Sequence, residues 1–432
     1  VFLGIGDSTK VYIKGSVQLR HGDSLQNKQL VRNNQAQSVF LEGRPLINTQ
    51  SELHAFINYT RFKDPSESNG QNLQTRLNYN QFLAKKQLRL STLLQLQNGL
   101  LPQQEFSYLE VAEGQGIYTW NDYNQDQIQD LEEFEIAEFS DQASYIRVLL
   151  PNRTFVKTRE STFNQTVSYR SNPSNSIDSL NPFFRRFSFQ ASYQIQRKEL
   201  KEGRQLLANP FNLDAGALGL NLNLRTVLAY NQGKQRHTTQ YTFVRTSNNQ
   251  LNPLGVQGNQ LESHQLQYNH LVASQWLLQA TSNWNENQTR SESFASRNFK
   301  ITTISFEPKL SYLIEAQNQI SVAYNFKQRE NITGEEMLLQ QQLQFEANFA
   351  SKANTLWNAN FNWIENNYTG NAFSPVAYQL LEGLQAGTNF TWNAVFQKRL
   401  TKFLDVSLNY NGRKSENTPT IHTGNIQVRA FF

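Results

Sequence analysis

The chain has 432 residues, 38% of them hydrophobic and 12% aromatic, with no cysteine and a formal net charge of +5. The absence of cysteine excludes a disulfide scaffold and thiolate metal sites, and so weak and scattered a positive charge is not a nucleic-acid footprint. No run approaches the roughly 18 consecutive apolar residues that a membrane helix needs, which excludes a helical membrane protein. Low mean hydropathy does not exclude a membrane barrel, whose strands turn only every second residue toward lipid.

Taken in chain order, the dominant signal is period-two alternation in segments of about nine to eleven residues, each putting one residue set on each face of a strand. Five candidate strands come first, near 10–20, 36–43, 52–62, 72–81 and 88–97. Thirteen follow, near 162–170, 186–196, 217–230, 237–246, 264–273, 275–286, 297–312, 319–328, 340–350, 354–364, 387–398, 402–412 and 424–432. Leu218, Leu220, Leu222, Leu224 and Leu228 alternate with Asn221, Asn223 and Arg225; Leu404, Val406, Leu408 and Tyr410 alternate with Asp405, Ser407 and Asn409. Trp276 and Trp284 share one face eight residues apart, roughly 19 Å along the normal for a strand tilted by about 45°, so they suit the two rims of an apolar band about 25 Å tall. Soluble strands usually run about five or six residues, whereas about ten is the crossing length of a tilted membrane strand. The expected fold is therefore all-β: a transmembrane antiparallel barrel of about eighteen strands.

Connection lengths supply a separate test, because outer-membrane barrels have short periplasmic turns and long external loops. With the last strand running down to the periplasm, 413–423, 365–386, 329–339, 287–296, 247–263, 197–216, 63–71 and 21–35 fall outside and are long. The connections 399–401, 351–353, 313–318, Ser274, 231–236, 82–87 and 44–51 fall inside and are shorter. Residues 171–185 break the rule, being too long for a periplasmic turn. The chain starts at Val1 without Met, as a mature chain or a piece of a longer one would.

Between the two sets of strands lies an insert, 98–161, which the loop phase places outside the cell. The domains expected are thus barrel strands in 1–97, the extracellular insert, and barrel strands in 162–432. Within the insert Asp122, Asn124, Asp126, Asp130 and Glu133 stand at positions 1, 3, 5, 9 and 12 of a twelve-residue loop, with the Ile128 carbonyl at position 7. Hard Ca²⁺ wants six to eight oxygen ligands, and this spacing delivers them from one segment. Gln127 stands where such loops place the Gly of the sharp turn. A bound Ca²⁺ would rigidify an external domain.

This spacing resembles the thrombospondin type 3 repeat. The segments "GIYTWNDYNQDQIQDLEEFEIAEFSDQASYIRV" and, at the C-terminus, "GRKS", "HTG" and "RAFF" resemble large, mostly uncharacterised outer-membrane barrel proteins of the Bacteroidota. That resemblance implies an outer-membrane location and carries no activity. The terminal pattern Ile426, Val428, Phe432 also resembles the signal read by the barrel-insertion machinery.

No catalytic set emerges. None of His21, His54, His237, His264, His270 and His422 lies in an HExxH arrangement, and there is no GxSxG elbow. His264 and His270 are too far apart to share a metal, His21 and His422 fall on expected external loops, and Glu132–Glu133 reads as calcium-loop carboxylates. The sequon-like Asn389 falls within an expected strand. The function expected is a non-catalytic outer-membrane component of a transport, secretion or assembly complex. Its partners would be outer-membrane lipid, the insertion machinery and other envelope proteins, with no nucleic acid. A porin-like solute channel is the alternative, and an outer-membrane hydrolase is the remote one.

Overall fold

The computed structural model describes all residues except 8, 27–28, 64–69, 171–185, 201–210, 212–216, 234–235, 253–254, 293, 316–317, 352–354, 417 and 432. The long connection 171–185 and the terminal Phe432 therefore lie outside the described residues. The first strands are β1 (Phe2–Gly6), β2 (Tyr12–Gln26), β3 (Gln29–Ile47), β4 (Ser51–Lys63), β5 (Gly70–Leu83) and β6 (Leu88–Glu110). Two short strands, β7 (Tyr118–Trp120) and β8 (Phe134–Ile136), precede β9 (Tyr145–Arg170) and β10 (Phe187–Leu200). Then come β11 (Ala217–Tyr230), β12 (His237–Asn252), β13 (Gly255–Val272), β14 (Trp276–Ser291), β15 (Phe299–Glu315) and β16 (Asn318–Asn331). The last are β17 (Met337–Ser351), β18 (Thr355–Thr369), β19 (Gly387–Thr401), β20 (Leu404–Ser415) and β21 (Ile421–Ala430), with one α-helix, α1 (Pro375–Leu381), between β18 and β19.

The fold class is the expected one: all-β, antiparallel, with strands of membrane-crossing length and an insert. Setting aside the short β1, β7 and β8, the described strands number eighteen and correspond one for one to those read from alternation. Their extents differ. β6 and β9 run on to Glu110 and from Tyr145, so the irregular part of the insert is 111–144 and not 98–161. The expected loops 21–35 and 247–263 are largely strand, which puts His21 in β2, and His422 likewise stands in β21. The reason is physical: a ladder continues wherever backbone N–H and C=O groups can pair. Beyond the lipid-facing length both faces are polar, and the alternation that marks a strand fades.

The chain forms two compact units. The first comprises 1–104, 151–228 and 244–258. Here β1 pairs β2, and the ladder continues through β3, β4 and β5 to β6; β6 pairs β9, and β9 pairs β10. One face carries Ile13, Val17, Val39, Leu41, Ile57 and Leu77, all exposed. The other carries hydrogen-bonded polar groups: Glu42 takes Lys14 at 2.8 Å, the Tyr12 hydroxyl at 2.9 Å and His54 at 3.2 Å, and Arg44 meets Glu52 at 2.6 Å. A separate apolar cluster joins Ile195, Leu220 and Leu222 to Phe163, Tyr193 and Leu224.

The second unit comprises 105–150, 229–243 and 259–432. From β14 to β21 each strand pairs with the next. The register keeps one face apolar across neighbouring strands: Leu278 opposes Leu310, Leu310 opposes Val322, Val322 opposes Phe345, and Phe345 opposes Phe361. On β20 and β21 the same face presents Leu408 opposite Ile426 and Val406 opposite Val428. Trp276 opens β14 with Trp284 eight residues on, and Trp357 and Trp363 stand correspondingly near the start and eight residues into β18; all four are exposed. The opposite face is amides and ion pairs. Gln340 bonds Asn366 at 2.9 Å, Gln342 bonds Asn362 at 3.1 Å, Asn325 bonds Glu307 at 2.9 Å, and Lys309 is paired with Glu346. One end of these strands is closed by tight turns such as 273–275 and 402–403. The other, the loop end, carries 292–298, 332–336, 370–386 and 416–420.

Candidate functional site: the capped polar face

At the loop end of the second unit, two segments fold over the polar face. The first is the 370–386 connection. Its Ser374 accepts from the Ala377 N–H at 3.1 Å and Pro375 opens α1, the start signal expected of a helix. Glu382 ends it in the left-handed conformation, at φ 53°. Fully buried Leu380, with Val376 and Leu381, packs on Phe299, Ile301 and Leu338. Those three belong to the polar-face set of β15 and β17, so here that face turns apolar to receive a helix. Arg329 donates to the Gln379 and Leu380 carbonyls at 3.2 and 2.8 Å and pairs with Glu382, which also meets Lys327 at 3.4 Å.

The second segment is the insert. Tyr108 stacks on Phe134 at 4.1 Å between centroids, and Tyr145 meets Phe134 edge-on at 5.0 Å. Gly116 lies so close to the chain beyond it that a Cβ would fall 2.5 Å from the Tyr145 nitrogen and 2.7 Å from the Ala143 carbonyl oxygen. The segment 132–141 then attaches to the strands and to α1. The Ser296 hydroxyl donates to Glu132 at 2.9 Å, and Arg297 pairs with Glu135 at 2.8 Å. Tyr378 donates to the Ile136 carbonyl at 3.3 Å and accepts from the Glu138 N–H at 3.1 Å. Arg413 forks onto Asp141 at 2.5 and 2.7 Å, with its guanidinium 4.1 Å over the Phe139 ring. Planar bidentate geometry makes this the strong kind of ion pair.

Burial governs the charge states here. It raises the Glu135 carboxyl above its ordinary pKa, against the pull of Arg297. Burial also raises Glu138, helped by the charge of Glu382. At Glu382 burial pushes up too, but Arg329 and Lys327 outweigh it and hold the carboxyl below its ordinary value. Tyr123 is pushed far up by burial and by Glu135.

The sequence-marked loop forms a compact turn. Asp122 accepts from the Asp126 and Gln127 N–H groups at 3.2 and 3.0 Å, Asn124 accepts from Asp126 N–H at 3.0 Å, and Asp126 accepts from Ile128 N–H at 2.7 Å. Gln127 adopts φ 63°, the conformation for which Gly is usual at that position. Asp130 caps the short helical turn 131–133. Buried Glu133 accepts from the Trp120 indole at 2.8 Å and from the Asp130 N–H at 3.4 Å. Among the described residues no three His, Asp or Glu side chains converge as a metal-binding group. Of the terminal signal, Ile426 and Val428 are exposed on the apolar face of β21.

The histidines are held one by one: His264 by Tyr241 at 2.7 Å, His270 by Tyr268 at 2.7 Å, His237 by Asn231 at 2.7 Å and His422 by Tyr410 at 2.8 Å. Asn389 is fully buried at the loop end of β19, bonded to Ser415. Sequence reasoning missed the cap anchors, Arg297, Arg329, Glu135, Asp141, Glu382 and Arg413. For Arg329 and Arg413 the local signal was a charge at a polar-face position near a strand end; Arg297, Glu135, Asp141 and Glu382 stand in the insert or the connections, where nothing local marks them.

No family profile and no curated protein matches the chain. Among solved structures it is similar to the outer membrane protein OpdK from Pseudomonas aeruginosa, at 10% identity and a TM-score of 0.37 over 97% of this chain and 98% of that one. It is also similar to a loop-deletion mutant of OmpT, an outer membrane protein of Vibrio cholerae, at 9% identity and 0.34 over 96% and 99%. The ferric-catecholate import receptor Fiu from E. coli matches at 9% identity and 0.31 over 95% and 73%. Similarity this low assigns the chain neither a family nor a function.

Proposed function

We propose that the chain is a non-catalytic transmembrane β-barrel of a bacterial outer membrane, with periplasmic termini and an extracellular insert. Its role in this reading is that of a structural or accessory component of a transport, secretion or assembly complex. One observation carries the membrane reading: an exposed apolar face, continuous from β14 to β21 and bearing Trp near both ends, backed by a face of internally bonded amides and ion pairs. A contiguous row of large exposed apolar side chains across eight strands is what soluble monomers avoid. In lipid it is the ordinary outer wall of a barrel, and interfacial Trp marks the headgroup levels.

The accessory role is supported by the cap, since a folded insert pinned by Arg297, Arg413 and Tyr378 over the polar face obstructs that face at one end. Partners in this reading are the insertion machinery, which would read Ile426, Val428 and Phe432, and other envelope proteins that would meet the insert. The loop of Asp122, Asn124, Asp126, Ile128, Asp130 and Glu133 is proposed to take Ca²⁺ as a stiffening ion. Chelation is then expected to speed proteolysis within 111–144, with protection restored by Ca²⁺ and not by Mg²⁺; equal cleavage throughout would remove the ion from this reading. The porin-like alternative rests on the amide-rich polar face. Conductance decides between the two: a silent protein that co-purifies with envelope proteins in mild detergent supports the accessory role, and a steady ohmic current from a lone species overturns it.

A further inference from the structure

Beneath the cap lies a cavity of about 350 Å³ that no part of the reading above uses. Its floor is the polar face of β18–β21, with Asn360, Asn362, Thr391, Asn393, Asn411 and Thr423; its roof is the insert segment 138–141. The volume is within the usual range of small-molecule pockets, about 300–1,000 Å³.

The floor is largely pre-bonded. Asn362 accepts from Gln342 at 3.1 Å and donates to the Thr391 hydroxyl at 2.9 Å. Asn393 donates to Asn409 at 3.2 Å and also to Asn411. Such an array is rigid without charge, and it offers amide oxygens and nitrogens side by side. One group is unsatisfied: the Asn360 carbonyl oxygen is buried and accepts no hydrogen bond among the described residues. A buried acceptor without a donor is unfavourable, and a small rotation of the Asn360 amide toward the cavity would let a ligand O–H or N–H satisfy it.

Charge narrows the class. Arg413 is the cavity's only lining cation among the described residues, and it is spent on Asp141 and on the Phe139 ring. An anionic ligand would meet Asp141 and Glu138 with no cation to spare. An ammonium has no acceptor lone pair, so it cannot satisfy the amide N–H groups of the floor. A sugar hydroxyl both donates and accepts, and it is neutral.

We propose that this cavity is a binding site for a mono- or disaccharide, held between the amide floor of β18–β21 and segment 138–141 of the insert. The site goes beyond the accessory or channel role and requires neither, because binding in micelles does not depend on conduction or on partners.

The test is calorimetric titration of the full chain in a zwitterionic detergent without a sugar headgroup. The probes are maltose, sucrose, trehalose and glucose, with glucuronate and glucosamine as charged controls. At least one neutral sugar is expected to saturate the protein, and both charged sugars to bind it about tenfold or more weakly. N360L and N393L are expected to weaken the neutral sugar by about tenfold or more. R76A, on the polar face of β5 in the other unit, should leave it unchanged and serves as a control for mutational handling. If N360L fails to fold, Asn360→Ser reads the same contact. The proposal is overturned if no neutral sugar gives saturable heat, if glucuronate binds as tightly, or if correctly folded floor variants bind as well as the parent.

Discussion

Arg413 and Asp141 are the residues on which the cap most visibly depends. Their side chains are only 12% and 22% exposed and share two charge-assisted hydrogen bonds. Removing one partner strands the other in a poorly hydrated place, at a cost of about 1.5–3 kcal/mol. Arg413→Ala is therefore expected to leave the strands intact and to speed proteolytic cleavage within 111–144 by an order of magnitude or more; an unchanged cleavage rate would show that the pair does not hold the cap. Acidity should act on the same segment in two opposing ways. Glu135 has a raised pKa in the folded protein, so its contribution is complete below the ordinary Glu value and is lost as pH rises through the raised one. Glu382 has a lowered pKa, so its contribution is complete above the ordinary value and is lost as pH falls through the lowered one. Protection factors in 131–142, taken relative to the intrinsic exchange rate at each pH, should therefore rise as pH falls from neutral through the raised Glu135 value and fall again as pH drops below the ordinary Glu value of about 4.3. Glu135→Gln should flatten the upper arm and spare the lower one.

At the level of elements, α1 couples the two halves of the cap. It rests on Phe299, Ile301 and Leu338, and its Tyr378 bonds the insert at Ile136 and Glu138. Leu380→Ala empties a fully buried site, at a cost of about 2–5 kcal/mol. The expected signature is loss of exchange protection in 131–142 as well as in 375–381, although Leu380 belongs only to the latter. The strands were readable because lipid on one side and polar neighbours on the other impose a period of two on residues such as Trp357, Ala359, Phe361 and Trp363. Their outer extents were not readable, because residues such as Asn287, Gln288, Thr289 and Arg290 on β14 are polar on both faces while the ladder runs on. The loop from Asp122 to Glu133 could be read because its geometry is set within twelve residues. The cap could not, because Glu135 and Arg297 are 162 positions apart and no local pattern announces that they meet.

For the whole molecule the central expectation concerns which face meets lipid. Val322 stands on the exposed apolar face of β16, opposite Leu310 and Phe345. Ser407 stands on the polar face of β20, opposite Gln397 and Gln427. Arginine at a lipid-facing position near the midplane costs about 2–4 kcal/mol, whereas the polar side tolerates it. Val322→Arg should accordingly lower the yield of heat-modifiable, membrane-inserted protein, and Ser407→Arg should not. Equal yields would mean that the apolar face of this unit does not face lipid.

The bidentate pair also has a bearing on time. Asp141 is separated from Arg413 by 272 positions, and β20 is the last strand but one. During synthesis the insert emerges long before the residue that fastens it. The closure entropy of so large a loop is recovered only when the final hairpin has docked, and contacts of such high order form late. Until then Ser296, Arg297 and Tyr378 can already hold 132–138, but Asp141 has no partner and the last turn of the insert stays unfastened. Fastening at Asp141 therefore marks the completion of assembly, so cleavage near 139–144 during refolding would serve as a clock for arrival of the C-terminal strands.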